Sequence, residues 1–155
     1  MRNLITKEEA LVEMAALCAR SEQCAADIYK KLRGRSLSHS DAMDVIADLE
    51  DRGFIDHTRY ARSFTNDKMR FSAWGRIKIR VALLAKSIPE NCIREALGSL
   101  DPAEYAEAVS RAACAKASGL DLTSYEGRLK LYRHLLSRGF ESDISLAEVK
   151  RQASK

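Results

Sequence analysis

The sequence predicts an all-α chain of three tandem three-helix units forming an elongated, curved array. Three observations carry that prediction. Helix-start signals recur along the chain, apolar residues between them fall at helical spacing, and no stretch sustains the period of two that marks a strand. Composition agrees, because only 7 Gly and 2 Pro in 155 residues leave few helix breakers.

Helices of the first unit are expected at about 7–20, 23–33 and 41–52. Thr6-Lys7-Glu8-Glu9 reads as a capping box, with Thr6 as cap and Glu9 reaching back to its amide. Leu11, Met14, Ala15 and Cys18 then share one face, and Met43, Ile46, Ala47 and Leu49 mark the third helix. Gly34 and Gly53 are candidate helix stops. The second unit is expected at about 57–71, 74–86 and 89–99, with Tyr60, Phe64 and Phe71 on one face and Pro89 fitting a first helical position. The third is expected at about 102–118, 125–138 and 143–152. Asp101-Pro102-Ala103-Glu104 combines an N-cap acid, a Pro at the first position and a Glu at the third. Thr123-Ser124-Tyr125-Glu126 offers another box, Val109, Ala113 and Lys116 lie along the preceding helix, and Gly119 and Gly139 are stops.

First helices therefore begin near residues 7, 57 and 102, a period close to 50 that suits helical repeats. The units are taken as residues 1–55, 56–100 and 101–155. The join Leu84-Ala85-Lys86-Ser87-Ile88 resembles Leu136-Ser137-Arg138-Gly139-Phe140, and the first unit has a longer version in Leu32-Arg33-Gly34-Arg35-Ser36-Leu37. The middle helices of the second and third units are apolar on two sides. Trp74, Ile77, Val81 and Leu84 oppose Ile79 and Leu83; Tyr125, Leu129, Tyr132 and Leu136 oppose Leu131 and Leu135. A helix apolar on two sides is expected to pack on two sides, which would give the array a continuous core.

Charge is unevenly placed. From Arg59 to Arg94 nine cations face two acids, a net +7 that leaves −3 for the rest of a chain totalling +4. Such asymmetry fits either a polyanion or acidic protein surface as partner, or a solvated face that happens to be basic. Between Lys68 and Ile88 there are six cations and no acid. The candidate contact residues are therefore Lys68, Arg70, Arg76, Lys78, Arg80 and Lys86, to which the third unit adds Arg128, Lys130 and Arg133.

Catalysis is not expected. The chain carries no GxSxG, HExxH, GxxxxGK[ST] or GxGxxG pattern. Cys18, Cys24, Cys92 and Cys114 form no CxxC pair, and His39, His57 and His134 are scattered, so free, mostly buried thiols and no metal are expected. No apolar run approaches the roughly 20 residues of a membrane span, and the first residues lack the apolar core of a signal peptide, so a cytoplasmic location is expected. Groove readout of DNA by the third helix of the first unit is disfavoured, because Asp41, Asp44, Asp48, Glu50 and Asp51 would meet phosphate.

Several blocks resemble the RecX regulatory proteins of bacteria, which modulate the recombinase RecA. Arg20-Ser21 followed by Asp27-Ile28-Tyr29-Lys30-Lys31-Leu32 is similar to that family's first-unit stretch. Leu49-Glu50-Asp51-Arg52-Gly53-Phe54-Ile55-Asp56, entering a helix with Tyr60-Ala61 and Phe64, resembles its most recognisable block. Gly75-Arg76 through Ile79, Leu83 and Lys86-Ser87-Ile88 resembles the second-unit block, and Leu136-Ser137-Arg138-Gly139-Phe140 that of the third. The likeness runs from about residue 7 to 150. His57, Tyr60 and Ser87 depart from the usual Asp, Phe and Gly, and the third unit is shorter by a residue after Phe140. The resemblance implies three tandem units, no cofactor, and a monomer that binds the groove of the RecA–single-stranded-DNA filament and mainly inhibits RecA. A general nucleic-acid-binding protein and a helical protein-binding adaptor are the alternatives.

Overall fold

A computed structural model describes residues 4–155, and among these there are nine α-helices and no strand. They are α1 (Lys7–Arg20), α2 (Ala25–Gly34), α3 (His39–Asp51), α4 (His57–Ser72), α5 (Arg76–Ala85), α6 (Glu90–Gly98), α7 (Pro102–Ala117), α8 (Tyr125–Ser137) and α9 (Ser142–Ala153). Their contacts group them in three successive threes. Accessible surface is 8917 Å², against about 7,800 Å² for a compact monomer of this mass, as an elongated array requires. No helix among the described residues is long and apolar enough to cross a membrane.

Thr6 and Asp101 cap their helices by accepting from the amides of Glu9 (3.1 Å) and Glu104 (3.3 Å). Two cap assignments differ by one residue from expectation. Ser124, rather than Thr123, caps α8 by accepting from the Gly127 amide, because Thr123 is engaged with the Asp121 carboxylate. Pro89 stands at the N-cap of α6, where its fixed φ serves as well as at the first turn.

One turn joins the second helix to the third in every unit. The carbonyls of Leu32, Leu83 and Leu135 each accept, at 3.2 Å, from the amide five residues on, in Leu37, Ile88 and Phe140. The residue just before each donor is left-handed: Ser36 (φ 65°), Ser87 (φ 58°) and Gly139 (φ 93°). The first unit's join is therefore no longer than the others. The sequence comparison paired Leu84 with Leu136, one residue past the leucines that accept the bond, and Ser36 rather than Gly34 makes the stop. Leu37, Ile88 and Phe140 are all buried by the reversal.

Two cores result, not one. Residues from Ala10 to Ile55 form the first, within α1–α3 and the strap leaving α3. The second runs from Tyr60 to Val149 through α4–α9 and takes only Cys24 and Ala26 from the first unit. The expected continuous core thus extends through the second and third units only. At the first joint, α2 offers small or polar side chains, and ion pairs span the gap: Lys86 to Asp27 at 2.9 Å, and Arg59 to Glu22.

Two-sided packing of the middle helices is realised only in part, with Trp74 and Tyr132 of the second faces packed against the core. Ile79, Leu83, Leu131 and Leu135 are fully buried, but Ile77 (52% exposed), Val81 (62%) and Leu84 (50%) face solvent, as do Tyr125 and Leu136. Helix α5 meets the third unit with its tip instead. The amides of Gly75 and Ile77 donate to the carbonyls of Arg138 (2.8 Å) and Gly139 (3.0 Å), and the Arg76 amide donates to the Tyr105 hydroxyl (3.0 Å). Orphan amides at the start of α5 thus meet orphan carbonyls after α8, and no side-chain cap is needed at Gly75. Approach is so close that a Cβ on Gly75 would lie 2.3 Å from the Gly139 carbonyl, and one on Gly139 would lie 2.3 Å from Lys78 Cβ.

Candidate binding surface

The nine candidate cations fall into three settings. Arg70, Arg76 and Lys86 hold the units together. Arg70 pairs with Glu104 at 3.0 Å and Lys86 with Asp27. Arg76 pairs with Glu141 at 2.8 Å and lies 4.0 Å from the centroid of the Tyr105 ring, while the Tyr105 hydroxyl donates to the same Glu141 carboxylate. Burial, reinforced by that carboxylate, pushes the Tyr105 phenol well up, so it stays a neutral donor. At Asp27 burial works to raise the carboxyl, but hydrogen bonds from Lys86 and Cys24 outweigh it and hold the group below its ordinary value. These counter-charges lie 34 to 65 residues away in sequence. The local charge imbalance is thus partly an inter-unit fastening.

A second setting is local. Arg80 pairs with Glu90 and Lys130 with Glu126, both on exposed surface. Arg128 donates to the carbonyls of Leu122 and Thr123, bracing the loop before α8. Surface pairs of this kind contribute little stability and give up their partners readily.

The third setting is Trp74. Its ring carries the ammonium groups of Lys68 and Lys78, at 4.7 and 4.6 Å from the centroid. Phe64 packs edge-on behind it (6.5 Å) and Tyr60 stacks on Phe64 (5.9 Å). A half-buried indole with two ammoniums that make no ion pair among the described residues is suited to a nucleobase with its phosphates. Arg133 is exposed, on α8. The nine therefore do not form one patch: Lys68 and Lys78 meet at Trp74, and Arg76 and Arg80 line a groove between α5 and α6.

That groove, of about 380 Å³, is lined by Arg76, Ile77, Arg80, Val81, Arg94 and Leu97, with the small Gly98 at its edge. No acid lines it. Trp74 and Arg94 are the residues that the candidate set leaves out. The sequence placed Trp74 on an apolar face, where only its position beside Lys68 and Lys78 hinted at a platform, and Arg94, though counted in the basic segment, lies past the acid-free stretch and between Glu90 and Glu95.

Cys24 and Cys92 are buried and Cys18 is half-buried, in line with the expectation of mostly buried thiols, and Cys114 is the exposed one of the four. Its position on the solvent side of α7, within reach of Gln152 and Lys155, explains this. All four thiols are free.

Residues 56–97 match the family model described as RecX, second three-helix domain. The chain is 30% identical to the regulatory protein RecX of Thermus thermophilus over 138 residues, covering 89% of this chain and 88% of that protein. It is 30% identical to the regulatory protein RecX of Clostridium botulinum over 144 residues, covering 91% of this chain and 66% of the relative. The crystal structure of RecX from Lactobacillus salivarius shares the fold at a TM-score of 0.79 and 21% identity, over 96% of this chain and 97% of that one.

Proposed function

Because this chain belongs to the RecX family of regulatory proteins, we propose that it regulates a RecA recombinase by lying in the groove of the RecA–single-stranded-DNA filament. The near full-length match to regulatory RecX proteins is the observation that carries this reading. The units, residues 1–55, 56–100 and 101–155, act as a rigid non-catalytic spacer that spans neighbouring subunits. Occupying the groove obstructs entry of the duplex and the ATP-coupled cycle, so the net effect is mainly inhibitory. Lys68, Trp74 and Lys78 face the DNA strand, while Arg80, Arg128, Lys130 and Arg133 contribute exchangeable cations. The protein acts as a monomer in the cytoplasm and needs no cofactor.

A second reading, a general binder of single-stranded nucleic acid, is favoured by one observation, the paired ammoniums on Trp74. A pull-down comparing bare single-stranded DNA, free RecA and assembled filament separates the two. Filament should be retained best, and retention should outlast the salt that releases bare DNA, since phosphate contacts alone weaken steeply with salt. Equal retention of bare DNA and filament at every salt concentration would favour the second reading.

A further inference from the structure

The exposed side of α5 is left unexplained by the fold. Ile77, Val81 and Leu84 lie at i, i+4 and i+7, so they make one aliphatic stripe over two turns. Single exposed aliphatics are ordinary; a stripe beside an open groove is not. Nothing among the described residues covers it, because the third unit meets α5 at its tip. The groove that the stripe borders has three arginines and no carboxylate among its lining residues. Arg94 makes no ion pair among the described residues, and Arg80 is held only by the exposed Glu90.

The two chemistries together discriminate between classes of partner. Phosphate would be served by the arginines but gains nothing from branched aliphatic side chains, which offer no flat face for stacking a base. An apolar protein surface would bury the stripe but desolvate Arg94 with no counter-charge and leave Arg80 dependent on the exposed Glu90 alone. A surface with both aliphatic side chains and carboxylates satisfies every group. We propose that the α5–α6 groove is a protein-docking site that takes an acidic amphipathic helix, its apolar side on Ile77, Val81 and Leu84 and its carboxylates on Arg80 and Arg94. In binding, an incoming carboxylate replaces Glu90 on Arg80. This inference rests on the proposed function, in which the helix belongs to a recombinase subunit, and it divides the second unit into a DNA side at Trp74 and a protein side at α5.

The test uses the full-length chain and the double variant Ile77→Gln/Val81→Gln. Both positions are more than half exposed, so the thermal midpoint should hold. Binding is measured to cognate RecA–single-stranded-DNA filament and, in parallel, to a bare oligonucleotide. The double variant should bind filament at least about tenfold more weakly, the loss of roughly 1.4 kcal/mol, with oligonucleotide binding unchanged. Arg94→Glu should weaken filament binding in the same sense. Unaltered filament binding by the double variant overturns the docking site, and an equal loss on the oligonucleotide reassigns the stripe to nucleic acid. An Arg94→Glu variant that binds filament as well as wild type removes the acidic character of the partner. If wild type itself does not bind the filament, the failure lies with the proposed function, and this inference falls with it.

Discussion

The first unit closes its own core, from Ala10 to Ile55, whereas the second and third share one that runs from Tyr60 to Val149. Both regions use the same three-helix plan and the same left-handed turn. They differ in what lies at the joint. Between the second and third units, backbone meets backbone: the tip of α5 caps the end of α8, and Gly75 and Gly139 are in contact. Arg138 and Arg111 also reach across to the carbonyls of Ser72 and Arg70 at the end of α4. Between the first and second units, side chains make the joint: Arg59–Glu22 and Lys86–Asp27 pair across it, Arg59 donates to the carbonyls of Gly53 and Phe54, and Cys24 packs into the second core. Repeats of one design are thus fused or merely tethered according to whether small residues let the main chains meet.

Deleting core side chains should expose that difference most sharply. Phe140→Ala removes a fully buried ring packed edge-on against Tyr105 and should cost about 3–5 kcal/mol. Leu49→Ala, equally buried in the first unit, should cost about 2–5 kcal/mol. Native-state hydrogen exchange should show the first change lowering protection throughout α4–α9, and the second lowering it in α1–α3 alone. A single transition lowered equally by both would erase the distinction between the two cores.

Smaller effects come from the glycines. Gly75→Ala should cost about 1–3 kcal/mol through overpacking, toward the upper end because the obstacle is backbone. Gly53→Ala meets nothing within 4 Å and suffers only from its positive φ of 78°, about 1 kcal/mol. Chemical denaturation of each variant measures the gap, and equal costs would mean that the α5–α8 contact is looser than described.

Replacing the left-handed serines should act in the opposite direction. Ser36→Gly and Ser87→Gly should each stabilise by about 0.5–1 kcal/mol. The gain should be larger at Ser36, whose hydroxyl is buried without a hydrogen-bond partner. The first should raise the midpoint of α1–α3 and the second that of α4–α9.

Acid should test the tether most gently. The folded Asp27 carboxyl titrates below its unfolded value of about 3.9. Its contribution is therefore complete above that value and is lost as pH falls through the lower folded one. Docking of the first unit should weaken below about pH 4 in wild type, and Asp27→Asn should remove that part of the dependence. A pH dependence that stays unchanged in Asp27→Asn would show that the tether does not draw on this carboxylate.

Much of the architecture could be read directly from residues in a row. Thr6-x-x-Glu9 and Asp101-Pro102 are local signals, and they began helices where expected. Leu32 to Leu37 shows the limit: the turn is set by which carbonyl accepts the bond, and a one-residue misalignment makes equal joins look unequal. The outward face of α5 shows another. Its apolar spacing said that something should cover it, but only the tip-on approach of the third unit reveals that the described residues do not. Arg70, Arg76 and Lys86 looked unbalanced because their carboxylates are supplied by other units. Lys68 and Lys78, ten residues apart, become a pair only when α4 ends at the left-handed Ala73 and brings Trp74 between them.

The functional account is tested most directly by ATP turnover on preformed filaments of the cognate RecA on single-stranded DNA. Protein added at well below one copy per RecA subunit should slow turnover and change filament length, because blocking one point on a cooperative polymer affects many subunits. Turnover and length that stay unchanged across a range of salt, while the protein still coats free single-stranded DNA, would contradict filament regulation and leave general nucleic-acid binding as the better account.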